Sequence, residues 1–269
     1  MHDPARSPLS GPPPAEVPLP KAPLAKVLFQ VRFPRVLALA GQDRINIVAG
    51  VQDALKAKYP LFSEESAPTI QFTPNGPVIG QDDKIWRFSD IKKEWRVSVT
   101  PEFATLETSA YSSRADFARR AQFVLDAIER TVSPGAFERV GVRYINRISG
   151  DAVAQLNRLV KPAALGLVAA PSVAPSVQQA LSEALLEAEE GQVLMRSFVL
   201  PPNVVFDPSL FPPMNERTWV LDIDLFSTDS GEFEAKALAG RIELFSTRIY
   251  SVFRWVVEDA FLTHFGGSP

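Results

Sequence analysis

Twice along its length this chain sets out a strand of period two, then an amphipathic helix, a run of short strands and a second, longer helix. That order confines it to an α+β fold built on antiparallel sheet. The first strand is read at 25–33, AKVLFQVRF, where Val27, Phe29, Val31 and Phe33 alternate with Lys26, Leu28, Gln30 and Arg32, and Pro34 ends the run. At 43–58 a helix carries Ile45, Val48, Val51 and Leu55 on one stripe. Tyr59-Pro60 stops it, because the residue before a proline disfavours helical angles. Strands near 68–73, 84–89, 94–100 and 103–110 read as an antiparallel meander, with Trp95, Val97 and Val99 sharing one face. Ser113-Arg114-Ala115-Asp116 resembles a capping box with aspartate in the glutamate position. The helix it opens runs to about Arg130, with Phe117, Ala121, Val124, Leu125 and Ile128 inward, and Pro134-Gly135 closes it.

The order then restarts with a strand at 137–148, a helix near 151–160, a Pro/Ala/Val-rich excursion at 161–177 and a short helix near 178–189. Strands at 192–200 and 217–226 lead into one long C-terminal helix over 233–264. Val31-Arg32-Phe33-Pro34-Arg35-Val36 echoes Val142-Arg143-Tyr144-Ile145-Asn146-Arg147-Ile148, and the matching order of elements points to internal duplication. The expected organisation is a disordered, proline-rich segment at 1–24, a first half at 25–134 and a second at 135–269 that carries the 161–177 insertion. The last helix is apolar nearly all round from Ile249 to Leu262, so it must lie deep, gripped by a curved antiparallel sheet or set against a partner chain. This plan is similar to the fold of the TATA-binding protein and, more loosely, to helix-grip domains, an analogy of architecture that fixes no function.

Composition narrows the chemistry. There is no cysteine, which excludes disulfides, thiolate metal sites and a cysteine nucleophile. The two histidines, His2 and His264, are too few for the usual triads or multi-histidine metal centres. A formal net charge of −3 offers a polyanion no long-range attraction and leaves only a local basic stripe to consider. No GxGxxG, GxxxxGK[ST] or GxSxG occurs, so no cofactor and no catalytic residue is assigned. Residues 1–20 lack a basic segment followed by an apolar run, and no apolar stretch reaches the roughly 20 residues of a membrane helix. A cytoplasmic protein is expected.

A few polar residues stand out. Arg139, Arg143 and Arg147 share one face of the 137–148 strand, and Arg32 takes the corresponding place on the first. Arginine's planar fork suits phosphate or carboxylate. Asp222 and Asp224 share a face about 6.5 Å apart along their strand, a spacing that can hold Mg²⁺ or divide acid and base roles. The plainer reading pairs these arginines and aspartates across neighbouring strands. Gly76 and Gly80 sit in a hairpin loop that also offers Gln81, Asp82 and Asp83. PPNVVFDPSLFPP at 201–213 is apolar yet broken by proline, so it either covers a sheet edge or presents Phe206 and Phe211 to a partner.

VRFP in the first strand, the YP after the first helix, RYINRI and LDIDLF together resemble a sporadically distributed bacterial family of uncharacterised proteins of about this length, from about residue 24 onward. The resemblance implies no particular activity; a patchy distribution fits mobile cassettes such as defence or toxin–antitoxin loci. Three readings follow. The first is a non-catalytic protein that engages a macromolecule, foremost another protein, through the sheet surface and proline-rich loops. The second is a small-molecule or nucleotide-binding enzyme using Arg32, Arg143, Asp222 and Asp224. The third is nucleic-acid contact through the 139–147 arginines.

Overall fold

Alternation decides the first element: β1 (Leu24–Arg32) buries Val27, Phe29 and Val31 and leaves the residues between them partly exposed. The computed structural model describes residues 7–67, 70–73, 76–79, 83–208 and 210–269. After β1 come α1 (Leu37–Ala40), α2 (Arg44–Leu55), β2 (Leu61–Ala67), β3 (Ile70–Thr73) and β4 (Gly76–Ile79). Then follow β5 (Asp83–Ser89), β6 (Trp95–Val99), β7 (Phe103–Thr108) and α3 (Arg114–Thr131). The second run holds β8 (Ala136–Phe137), β9 (Arg139–Ser149) and the single-turn helices α4 (Asp151–Ala154), α5 (Leu156–Leu159) and α6 (Pro162–Leu165). It ends with β10 (Ala180–Ala188), β11 (Gly191–Leu200), β12 (Thr218–Ser227), β13 (Gly231–Glu232), α7 (Ala235–Val256) and α8 (Asp259–His264). The chain is therefore mixed α and β with extensive antiparallel sheet. His2, Gly80, Gln81 and Asp82, named above, lie outside the described residues.

Two compact units divide the chain, and they differ from the halves expected at 25–134 and 135–269. One unit takes Leu28–Gly141 with Thr228–Glu243, the other Met1–Val27, Val142–Ser227 and Leu244–Pro269. The division interleaves because β1, β9 and α7 each contribute residues to both.

In the first unit the strands run β1-β7-β6-β5-β2. Helix α3 starts at Ser113, whose hydroxyl accepts from the Asp116 amide at 3.1 Å and satisfies a donor the first turn would otherwise leave open. Its inner face buries Phe117, Ala121, Val124, Leu125 and Ile128, as the periodicity predicts. Phe117 meets the Phe29 ring edge-on at 6.3 Å. Ile45 departs from the expected stripe: it lies in the first turn of α2, 73% exposed, while Val48, Val51 and Leu55 are buried.

In the second unit the order is β10-β11-β12-β9. Trp219, Leu221, Ile223 and Leu225 of β12 are fully buried on one face, with Val193 of β11. The helix expected near 178–189 is instead strand β10, paired with β11 from Ala180↔Val199 to Ala188↔Gly191. Alanine, leucine and glutamate favour helix locally, but the ladder to β11 overrides that weak preference. The expected C-terminal helix is broken at Val257, which bridges to Val160; Lys161 donates to the Val256 carbonyl and Glu258 to that of Leu159.

The proline-rich segment expected to be disordered is tied down over 7–23. The Leu9 carbonyl accepts from the Glu189 amide, the Val17 amide donates to the Tyr250 hydroxyl at 2.8 Å, and the Lys21 amide donates to the Phe265 carbonyl. Arg248 of α7 fixes it most firmly. Its guanidinium, 5% exposed, forks onto Glu190 at 2.7 and 2.8 Å and donates to the carbonyls of Gly11 at 2.9 Å and Pro8 at 3.2 Å. Backbone carbonyls without a ladder partner thus find a charged donor, which holds an otherwise irregular segment in place.

Candidate functional site

Register sets the polar residues of β9, β12, β11 and β10 side by side. Arg196 of β11 stands opposite Asp222 of β12 and, on its other side, Glu183 of β10. Arg143 of β9 donates from Nε to Asp222 Oδ1 at 2.7 Å and from Nη2 to Oδ2 at 2.6 Å. Arg196 Nη1 lies 3.7 Å from the same Oδ2, and its Nε donates to Glu183 Oε2 at 2.6 Å. Charge therefore alternates across four strands as Arg143, Asp222, Arg196 and Glu183. Asp222 is the buried member, its side chain 3% exposed.

The electrostatics follow from that placement. Burial lowers the pKa of Arg143, but the hydrogen bonds and charge of Asp222, joined by the charges of Asp224 and Asp207, outweigh it and raise the pKa above the ordinary arginine value. Both oxygens of Asp222 are engaged by guanidinium groups. Asp224 lies half-buried on the same strand, opposite Leu194.

Arg147 points its Nη1 to the Pro212 carbonyl at 2.8 Å and stacks over the Phe211 ring at 4.6 Å, and burial lowers its pKa. Arg32 is exposed at the end of β1, and Arg139 opens β9; both belong to the other unit. Of the candidates read from sequence, the structure thus joins Arg143 to Asp222, sets Asp224 within reach of their field, and ties Arg147 to the 201–213 loop.

That loop folds back over its own sheet. Leu210 and Phe211 pack on a buried cluster of Ile145, Phe198, Leu200 and Val220. Phe206 stacks on Phe198 with ring centroids 4.3 Å apart, yet stays 48% exposed. Asn203 takes a positive φ of 64° at the loop's start, a conformation asparagine tolerates.

Sequence reasoning missed the outer edge of this face. β10 ends the strand order, and on it Leu181 and Leu185 are 55% and 60% exposed. Leu181 stands opposite Phe198, on which Phe206 lies, so the exposed leucines continue the apolar surface of the loop. No sequence signal marked this edge, because Leu181 and Leu185, like Glu183 and Glu187, recur four residues apart, the spacing of a helix.

Among the described residues no group of three or more His, Cys, Asp or Glu side chains could hold a metal ion, and no helix is long and apolar enough to cross a membrane. Comparison with family models, with curated proteins and with solved structures gives no match to this chain.

Proposed function

We propose that the protein is a non-catalytic, cytoplasmic binding protein that engages a partner protein by taking an extended segment of it onto the edge of β10. The observation that carries this reading is the edge itself. Edge strands are ordinarily blunted by proline, by charged side chains, lysine above all, by a bulge, by brevity or by a covering loop. β10 is nine residues long, pairs in regular register with β11, and contains neither proline nor a basic residue. Its face offers Leu181 and Leu185 alternating with Glu183 and Glu187, flanked by Phe206. An added strand would gain main-chain hydrogen bonds from the edge and specificity from alternate side chains. The complementary partner segment alternates apolar and basic residues.

The enzyme reading asks Arg32, Arg143, Asp222 and Asp224 to present free charge to a substrate. Arg143 and Asp222 spend theirs on each other, which supports a role for them in holding the sheet. The nucleic-acid reading meets the same difficulty, since Arg143 is neutralised and Arg147 is folded onto the loop.

Internal duplication belongs to this proposal. In each run the opening strand is followed by helices and then by antiparallel strands, the last of which returns beside the opening strand: β7 beside β1, β12 beside β9. A long helix, α3 or α7, follows in both cases. That recurrence supports the two-repeat plan likened to the TATA-binding protein and helix-grip folds.

The test is capture of the full-length tagged protein from its native host beside the Leu181→Lys/Leu185→Lys variant. The reading expects one specific protein, foremost the product of a neighbouring gene, retained by the wild type and lost by the variant. A partner held equally by both would overturn the edge assignment. Turnover of a defined substrate that disappears on Asp222→Asn would overturn the non-catalytic one.

A further inference from the structure

Glu216 and Arg217 are adjacent in sequence and opposite in charge, and both line one cleft of about 440 Å³, yet they form no ion pair with each other or with any other side chain among the described residues. Two features hold these apart. Arg217 is drawn to the backbone, its Nη2 donating to the Val177 carbonyl at 2.7 Å. Glu216 leans the other way over Gly150, where an added Cβ would lie 3.7 Å from its Oε2.

The guanidinium is left with a deficit. Its Nε is buried and has no acceptor, and the half-exposed side chain holds one neutral carbonyl and no carboxylate. A buried donor left open calls for an explanation. Beside Glu216 and Arg217 the wall is mostly apolar, with Leu156 and Val168 buried and Val153 and Ala174 next to them, and Asn157 is its one other polar side chain.

We infer that this cleft binds a small zwitterion, a free amino acid with an apolar side chain. The carboxylate would lie on the outer nitrogens of Arg217 as their anionic partner. The ammonium would lie on Glu216, and the side chain against Val153, Leu156 and Val168. The volume falls within the range of small-molecule sites. A free amino acid carries both charges on one carbon, which suits two receptors that are consecutive residues; a peptide terminus offers one charge at a time. The site involves none of the β10 edge residues, so it stands or falls apart from the partner-binding reading.

The experiment is titration of the full-length protein with L-leucine, followed by the methyl resonances of Val153, Leu156 and Val168. Saturable shifts are expected at those methyls. N-acetyl-L-leucine, lacking the cation, and L-leucinamide, lacking the anion, are each expected to bind about tenfold or more weakly, as are Glu216→Gln and Arg217→Gln. The Leu181→Lys/Leu185→Lys variant should bind leucine as the wild type does. Absence of shifts with leucine and with phenylalanine, or binding indifferent to both Glu216→Gln and Arg217→Gln, would overturn the assignment. Because Arg217 also holds the Val177 carbonyl, Glu216→Gln keeps the test decisive if Arg217→Gln fails to fold.

Discussion

Arg143 and Asp222, 79 residues apart in sequence, meet as a two-pronged ion pair of 2.7 and 2.6 Å with the carboxylate almost wholly withdrawn from water. An aspartate on a strand reads at first as a candidate ligand or acid. Here it is the counter-ion that lets two arginines, Arg143 and Arg196, lie on a sheet face covered by the 201–213 loop. A lone charge at that depth would oppose the packing of the neighbouring strands.

Asp222→Asn should therefore cost stability, on the order of 3–5 kcal/mol, because it leaves buried positive charge uncompensated. Replacing the pair together, Arg143→Met with Asp222→Leu, should recover the larger part of that loss. Urea unfolding of the single and double variants measures both.

Arg248 is the corresponding key for the N-terminal segment. Removing it as Arg248→Met strips Glu190 of its fork and frees the Pro8 and Gly11 carbonyls, at a cost of about 3 kcal/mol. Arg248→Lys keeps the charge but cannot form the fork, so an intermediate loss is expected. Limited proteolysis read by mass spectrometry should show new cleavage between residues 8 and 20 in both variants, fastest in Arg248→Met.

The start of α3 predicts a pH dependence. Burial raises the pKa of Asp116, but the hydrogen bond and charge of Arg120 and the charge of Arg119 outweigh it and hold the carboxyl below its ordinary value. A carboxylate depressed in the folded state stabilises at pH above its unfolded pKa and loses that contribution as pH falls through the folded one. The wild type should exceed Asp116→Asn in thermal stability at neutral pH, and the gap should shrink as pH drops below about 4. Melting curves across that range give the comparison.

Leu181 and Leu185 make the opposite prediction. Their exposure means that Leu181→Lys with Leu185→Lys should shift folding stability by no more than about 0.5 kcal/mol per site. Chemical unfolding of the double variant tests this, and it separates loss of a binding surface from loss of the fold.

What could be read from the sequence was whatever local pattern alone determines. The alternation of Val27, Phe29 and Val31, the cap at Ser113 and the inward face of α3 needed no distant partner, and each appears as expected. β10 was not legible because its Ala, Leu and Glu favour a helix until β11 is present to pair with them. The anchoring of residues 7–23 was hidden for a related reason: Arg248 draws its partners from residues 8–11 and 189–190, which no local window brings together. Pairing of Asp222 with Arg143 was foreseeable as one option among several, and register decided it. The cleft at Glu216 and Arg217 left no trace in the sequence, since adjacent opposite charges are common on any surface.

The most direct test of the β10 edge is site-specific photocrosslinking in the native host, with the photoreactive residue replacing Leu185 and, as a control in the other unit, the still more exposed Ile91. One discrete adduct to a single protein from position 185, absent from position 91, is the predicted result. No adduct at 185, or the same adducts from both positions, would contradict the account.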